Sequence, residues 1–216
     1  MIFELRQKKN KFLEETYKKS MKELNGFYGI NWVKNTPKVF ILNSRDDINA
    51  VKNEKTEDWV VGWADYGNNI YVLDYTKMKT ESSHKDGYSK DQYTALIKHE
   101  LSHLFLRILT NGSYIPTWLD EGLAIYTSGQ NNFKIEPEKF NQFLNFYSKH
   151  IEKDKTVYYE SGFFVLMLVK RFGKQKLIKF LKSLKGVNNK KEFDNLFSST
   201  YKFKLNYLEV NNIYTK

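Results

Sequence analysis

Cysteine is absent from the 216-residue chain. Disulfides, cysteine-ligated zinc ribbons and thiol nucleophiles are excluded with it, while the redox compartment stays open. Histidine is scarce, with four residues in all, so any metal site must draw on His, Asp and Glu. Proline occurs three times against 16% aromatic residues, a balance that argues against an extended disordered tail. No apolar run approaches the roughly 18 residues of a membrane helix. The longest, Phe163 to Val169, has the length of a buried helical segment. The opening residues Met1-Ile2-Phe3-Glu4-Leu5-Arg6 lack the basic-then-apolar pattern of a signal peptide. A cytoplasmic location follows, or a secreted or cell-surface one if an export signal has been removed. Acidic residues are also in deficit: 25 Asp and Glu face 35 Lys and Arg, a formal charge of +10. The lysines are spread out, and no dense basic cluster with interleaved aromatics stands among them. A solvated basic surface is therefore expected, with no specific nucleic-acid partner.

What is present reads as one α+β domain over residues 1–216, with an N-terminal helix and sheet lobe at 1–88 and a helical lobe at 89–216. Residues 4–24 carry Leu5, Phe12, Leu13, Tyr17, Met21 and Leu24 at helical spacing, and Asn25-Gly26 is expected to stop that helix. Pro37 to Leu42 reads as a strand, and a short helix is expected over Asp46 to Val51. Val60 to Ala64 and Ile70 to Leu73 read as a hairpin joined through Gly67-Asn68-Asn69. From Ser89 the period changes to helix. Asp91 to Leu109 is apolar on most faces, as a buried central helix would be. Further helices are expected at 118–127, 137–150, 157–171, 174–184, 190–198 and 203–212, with breaks at Gly112, Gly129, Gly173 and Gly186. The layout is a small mixed or antiparallel sheet packed on a central helix, followed by a helical part.

The central helix contains His99-Glu100-Leu101-Ser102-His103. At 3.6 residues per turn, positions 99 and 103 project from one face, one turn apart. Two imidazoles so placed reach one zinc ion, and Glu100 stands beside the metal, positioned to take a proton from water. A catalytic zinc needs a third protein ligand and an open position. After a turn at Thr110 to Pro116 comes Trp118-Leu119-Asp120-Glu121-Gly122-Leu123-Ala124. A returning helix there brings Glu121 back toward the metal, with Gly122 and Ala124 small enough for close helix approach. Asp120 is the competitor, and a first-turn helix acid is the ordinary explanation for either residue.

These two segments together resemble the gluzincin metallopeptidases of the thermolysin-like clan, and most of all its peptidase-MA-like branch. The likeness extends at most from Val60 to Gly173. It implies Glu121 as the third ligand beside His99 and His103, with one Zn2+ per chain. Tyr158-Tyr159-Glu160-Ser161-Gly162 resembles the Y-x-x-G segment of aminopeptidase-N-like members. There the tyrosine hydroxyl stabilises the oxyanion, and the spacing assigns that role to Tyr159, with Tyr158 the alternative. The resemblance also implies a substrate-pairing edge strand within Val60 to Leu73, and so backbone contacts at Gly62, Trp63 and Ala64. No G-x-M-E-N motif is present to anchor a substrate amine. Endopeptidase action on a peptide or protein is thus expected over aminopeptidase action, Asp65 reading as a solvated turn residue, with a substitute amine anchor as the alternative. His84 and His150 read as surface residues, with help to the oxyanion as the alternative for either one if it folds close to the zinc. Two other functions fit the same motifs: a regulatory protease selective for one partner, and a fold retained for binding alone.

Overall fold

The computed structural model describes residues 4, 7, 9–147 and 156–215. Among these, helix α1 spans Lys11–Tyr28. It starts later than the periodicity predicts, because the Asn10 side chain accepts a hydrogen bond from Leu13 N and caps it there. It also runs through Gly26 and stops at Gly29, which adopts the left-handed conformation (φ 65°) that suits a residue without Cβ.

Strand β1 (Lys38–Leu42), helix α2 (Arg45–Lys52), strand β2 (Gly62–Ala64) and strand β3 (Asn69–Leu73) follow. The sheet order is β1-β3-β2, with β1 parallel and β2 antiparallel to β3, so β2 is an edge. The hairpin between β2 and β3 turns on Asp65. Its carboxylate accepts from Gly67 N, Asn69 N and Asn69 Nδ2. Burial works the other way, but these bonds and one from Tyr71 hold the Asp65 carboxyl below its usual range.

The short helix α3 (Met78–Glu81) precedes α4 (Lys90–Thr110), the central helix. Ser89 and Gln92 form a reciprocal capping box at its start, and Asn111 in the left-handed region ends it. The helix lies under the sheet and is tied to it twice. Tyr93 Oη donates to Leu73 O at 2.8 Å. Arg107 donates to the carbonyls of Ala64 and Asp65. On its other side, the Ser102 hydroxyl bridges Tyr28 Oη of α1 (2.7 Å) and Thr127 Oγ1 of α5 (2.9 Å).

Helices α5 (Thr117–Ser128), α6 (Val157–Phe172), α7 (Lys174–Ser183), α8 (Lys190–Tyr201) and α9 (Tyr207–Tyr214) complete the helical part. A Cβ on Gly122 would stand 2.6 Å from Ser161 O, and one on Gly162 would collide with Ile125 and Asn131. These two glycines let α5 and α6 approach backbone to backbone. The expected helix at 137–150 does not form in its described part. Residues 137–147 are loop with one 3-10 turn at Phe143–Asn145. The buried Glu160 carboxylate accepts the backbone N–H groups of Asn141, Gln142 and Phe143, which fixes the chain in a non-helical course. Phe140, Phe143 and Phe146 all turn inward, the first two onto Phe164 and Phe143 also onto Trp118. Residues 148–155, and with them His150, lie outside the described residues. One buried apolar cluster extends from Met21 to Val210. No helix of the described residues is long and apolar enough to cross a membrane.

Candidate metal centre and cleft

His99 and His103 project from α4 into a cleft roofed by β2 and floored by α5 and α6. Their Nε2 atoms face each other at 3.1 Å. Glu121, from the second turn of α5, brings Oε2 to 3.2 Å from His99 Nε2 and 3.8 Å from His103 Nε2. The three donor atoms lie within 4.8 Å of one another. Adjacent donors on a zinc tetrahedron with bonds of 2.0–2.1 Å are about 3.3 Å apart, so the triangle suits such an ion. The surroundings support the same fit. Glu121 Oε2 is buried and has no hydrogen-bond partner among the described residues. A buried carboxylate oxygen left that way is costly unless a cation completes it.

Both imidazoles are held from behind. The Asp120 carboxylate accepts from His103 Nδ1 at 2.5 Å, and Gln130 Oε1 accepts from His99 Nδ1 at 2.9 Å. Each bond places a proton on Nδ1 and turns Nε2 toward the triangle, where its lone pair would serve a metal ion. With three carboxylates nearby, His103 is pushed up to about 10, although burial alone would lower it.

Glu100 is 6% exposed and sits directly under β2. A Cβ on Gly62 would stand 3.1 Å from Glu100 Oε1 and 3.2 Å from Val72 Cγ1, so the glycine lets the strand pass close above Glu100 without displacing either side chain. Burial, chiefly, raises the Glu100 carboxyl above its usual range, the histidines opposing and Glu121 and Asp120 adding to the rise. Two cavities, of about 480 and 400 Å³, meet at His99 and Glu100 and share Trp59, Gly62 and Tyr158 in their walls. The Arg45 guanidinium gathers the roof loop by donating to the carbonyls of Glu57, Asp58 and Val60.

The sequence-based site residues separate at this point. His99, His103, Glu121 and Glu100 converge. Gly62, Trp63 and Ala64 line the larger cavity. Tyr159 is 60% exposed and lines the smaller cavity only. Tyr158 lines both cavities, and the Glu121 charge, followed by burial, drives its hydroxyl well above the usual phenol range. Tyr158 and Gly162 are one helical turn apart, so the face of α6 that packs on α5 carries Tyr158 toward the cleft. Sequence reasoning kept Asp120 only as a helix acid or rival ligand, and it missed Gln130, Arg107 and Lys134. Each bonds a group more than twenty residues away in the chain, a distance that no local pattern spans.

An α+β fold with a helix-borne histidine pair facing a carboxylate from the next helix, beneath a mixed sheet, defines a peptidase-like protein with a site fit for a metal ion. The chain belongs to the Peptidase MA superfamily, whose family model matches residues 57–213. Neither a curated protein nor a solved structure matches it.

Proposed function

We propose that the chain is a zinc-dependent endopeptidase with Glu100 as general base and Tyr158 as the oxyanion donor. The observation that carries this reading is the buried, unpartnered Glu121 Oε2 facing the Nε2 atoms of His99 and His103. One zinc ion held by these three residues would supply a Lewis acid and a water of lowered pKa.

The rest is the work of the chain's own groups. In the antiparallel register, Val61, Trp63 and Asp65 direct their backbone bonds to β3. The groups of Gly62 and Ala64 therefore point away from β3, along the free edge. Arg107 takes Ala64 O, which leaves Gly62 N–H, Gly62 C=O and Ala64 N–H for an added substrate strand. A strand paired there lies across His99 and Glu100. Glu100 accepts the proton of the attacking water and returns it to the leaving amine, a task helped by its raised pKa. The Tyr158 hydroxyl, protonated throughout the neutral range, donates to the oxyanion. Asp120 and Gln130 hold the imidazoles in register. The cleft is open on both sides of Glu100, and the nearby Asp65 carboxylate is spent on its own turn. Both features favour cleavage within a chain over removal of its first residue.

The test compares wild type, Glu100→Gln and Glu121→Ala for zinc content by elemental analysis and for hydrolysis of a generic unfolded protein. About one zinc per chain in wild type and Glu100→Gln is expected, much less in Glu121→Ala, with hydrolysis by wild type alone. Full hydrolysis by Glu100→Gln, or no zinc after reconstitution, would overturn the reading.

A further inference from the structure

We propose that the smaller cavity, beside the N-terminal half of α4, is a carboxylate subsite with Lys134 as its charged contact. The favoured substrates then carry Asp or Glu on that side of the scissile bond, or end there in a free carboxyl group. The inference rests on the peptidase reading for its biological meaning, but its binding chemistry stands apart from it.

Lys134 follows the 3-10 turn Gln130–Phe133 and lines this cavity together with His99, Glu100 and Tyr158. Its ammonium is aimed by one hydrogen bond, donated to Tyr158 O at 2.5 Å. That leaves two N–H donors, and no carboxylate of the described residues lies within ion-pair distance of it. Glu121 attracts it only from further off. The polar groups around it are of the same kind: Ser83, His84, Gln92 and Gln130 line the walls, and Glu100 is the one carboxylate among them. The larger cavity differs, because Glu54, Glu57 and Asp120 stand there beside Lys52, Lys55 and Arg107. Charge selection therefore belongs to one half of the cleft.

The physical argument is desolvation. A half-buried ammonium without a counter-ion has given up hydration that its one hydrogen bond to Tyr158 O replaces only in part, and burial accordingly pushes Lys134 down to about 8. An entering carboxylate restores the lost interaction through a charge-assisted hydrogen bond. A neutral side chain leaves the cost in place, and a cationic one adds repulsion. Lys134 thus acts on substrate choice, at a distance from the bond being broken.

Two arms test this. In the first, zinc-loaded wild type, Lys134→Met and Lys134→Arg digest a peptide library randomised at each position, with free or amidated C-termini, and cleavage sites are mapped by mass spectrometry. A preference of about tenfold or more in kcat/KM for Glu over Gln, or for a free over an amidated terminus, is expected on one side only. Lys134→Met should lose it and Lys134→Arg retain it. Cleavage without charge preference, or a preference unchanged in Lys134→Met, overturns the proposal. In the second arm, N-acetylglutamate α-amide, N-acetylalanine and the neutral N-acetylglutamine α-amide are titrated by NMR into zinc-loaded Glu100→Gln protein with and without Lys134→Met. Tighter binding of either carboxylate that depends on Lys134 supports the subsite, and which probe binds separates side-chain from terminal carboxylate. Equal binding with and without Lys134 sinks it. If the library stays uncut, the peptidase reading falls and the second arm alone decides the subsite.

Discussion

His103 donates from Nδ1 to the Asp120 carboxylate at 2.5 Å, while its Nε2 faces Glu121, the next residue in the chain, at 3.8 Å. Two consecutive acids of α5 thereby serve opposite nitrogens of one ring, one orienting it and one sharing its metal face. This predicts a graded response. Asp120→Ala should weaken zinc affinity by about 10–100-fold without abolishing it. Competition against a chromogenic chelator measures the loss. An unchanged affinity would reduce the Asp120 contact to an ordinary helix acid.

The two tyrosines at the start of α6 should part company. Tyr158→Phe removes the α6 hydroxyl that shares the larger cavity with Glu121, and kcat should fall by about 10²–10³ with zinc retained. Tyr159→Phe, at an exposed position, should leave kcat within about twofold. Single-turnover rates on one peptide decide the matter, and the reverse ranking would return the role to Tyr159.

Gly162→Ala should destabilise the whole domain. The added methyl would meet Ile125 and Asn131 across the α5–α6 contact, and the helices must part to admit it. Overpacking of this kind costs about 1–3 kcal/mol, a fall of several degrees in melting temperature. Glu121 and Tyr158 sit on the two helices concerned, so zinc affinity should drop with it. A melting temperature equal to wild type would mean that the contact yields freely.

Lys134 should prove costly to stability. Its folded pKa of about 8 lies below its ordinary value of 10.5. Between those values the unfolded chain binds more protons than the folded one, so stability rises with pH across that window, and below it the full cost is present. Lys134→Met should therefore melt higher than wild type at pH 7, by on the order of 1 kcal/mol. The gap should narrow from pH 8 to 10.5. Thermal melts across that range check it, and a gap independent of pH would remove the desolvation argument.

Much of this site was legible before folding, because its first part is local. His99 and His103 share a face through helical period alone, and Glu100 follows from its place between them. The change of period at Ser89, the hairpin through Gly67-Asn68-Asn69 and the small residues after Glu121 are likewise short-range signals. Expectation and structure part at 137–147, where an apolar period was present and the helix was not. There the buried Glu160, some twenty residues later in the chain, supplies the acceptor that the backbone bonds to instead.

The sequence by itself determined the histidine pair and its glutamate, the absence of cysteine chemistry and the order of sheet and helices, since these depend on composition and on contacts a turn apart. Tertiary structure alone decided that Tyr158 lines both cavities while Tyr159 lines one, that Asp120 and Gln130 orient the histidines, that Gly62 passes close above Glu100, and that Lys134 has no carboxylate among the described residues within ion-pair distance. Each of those depends on where separate elements pack against one another, and a residue's period along its own helix or strand carries no record of what another element brings to meet it.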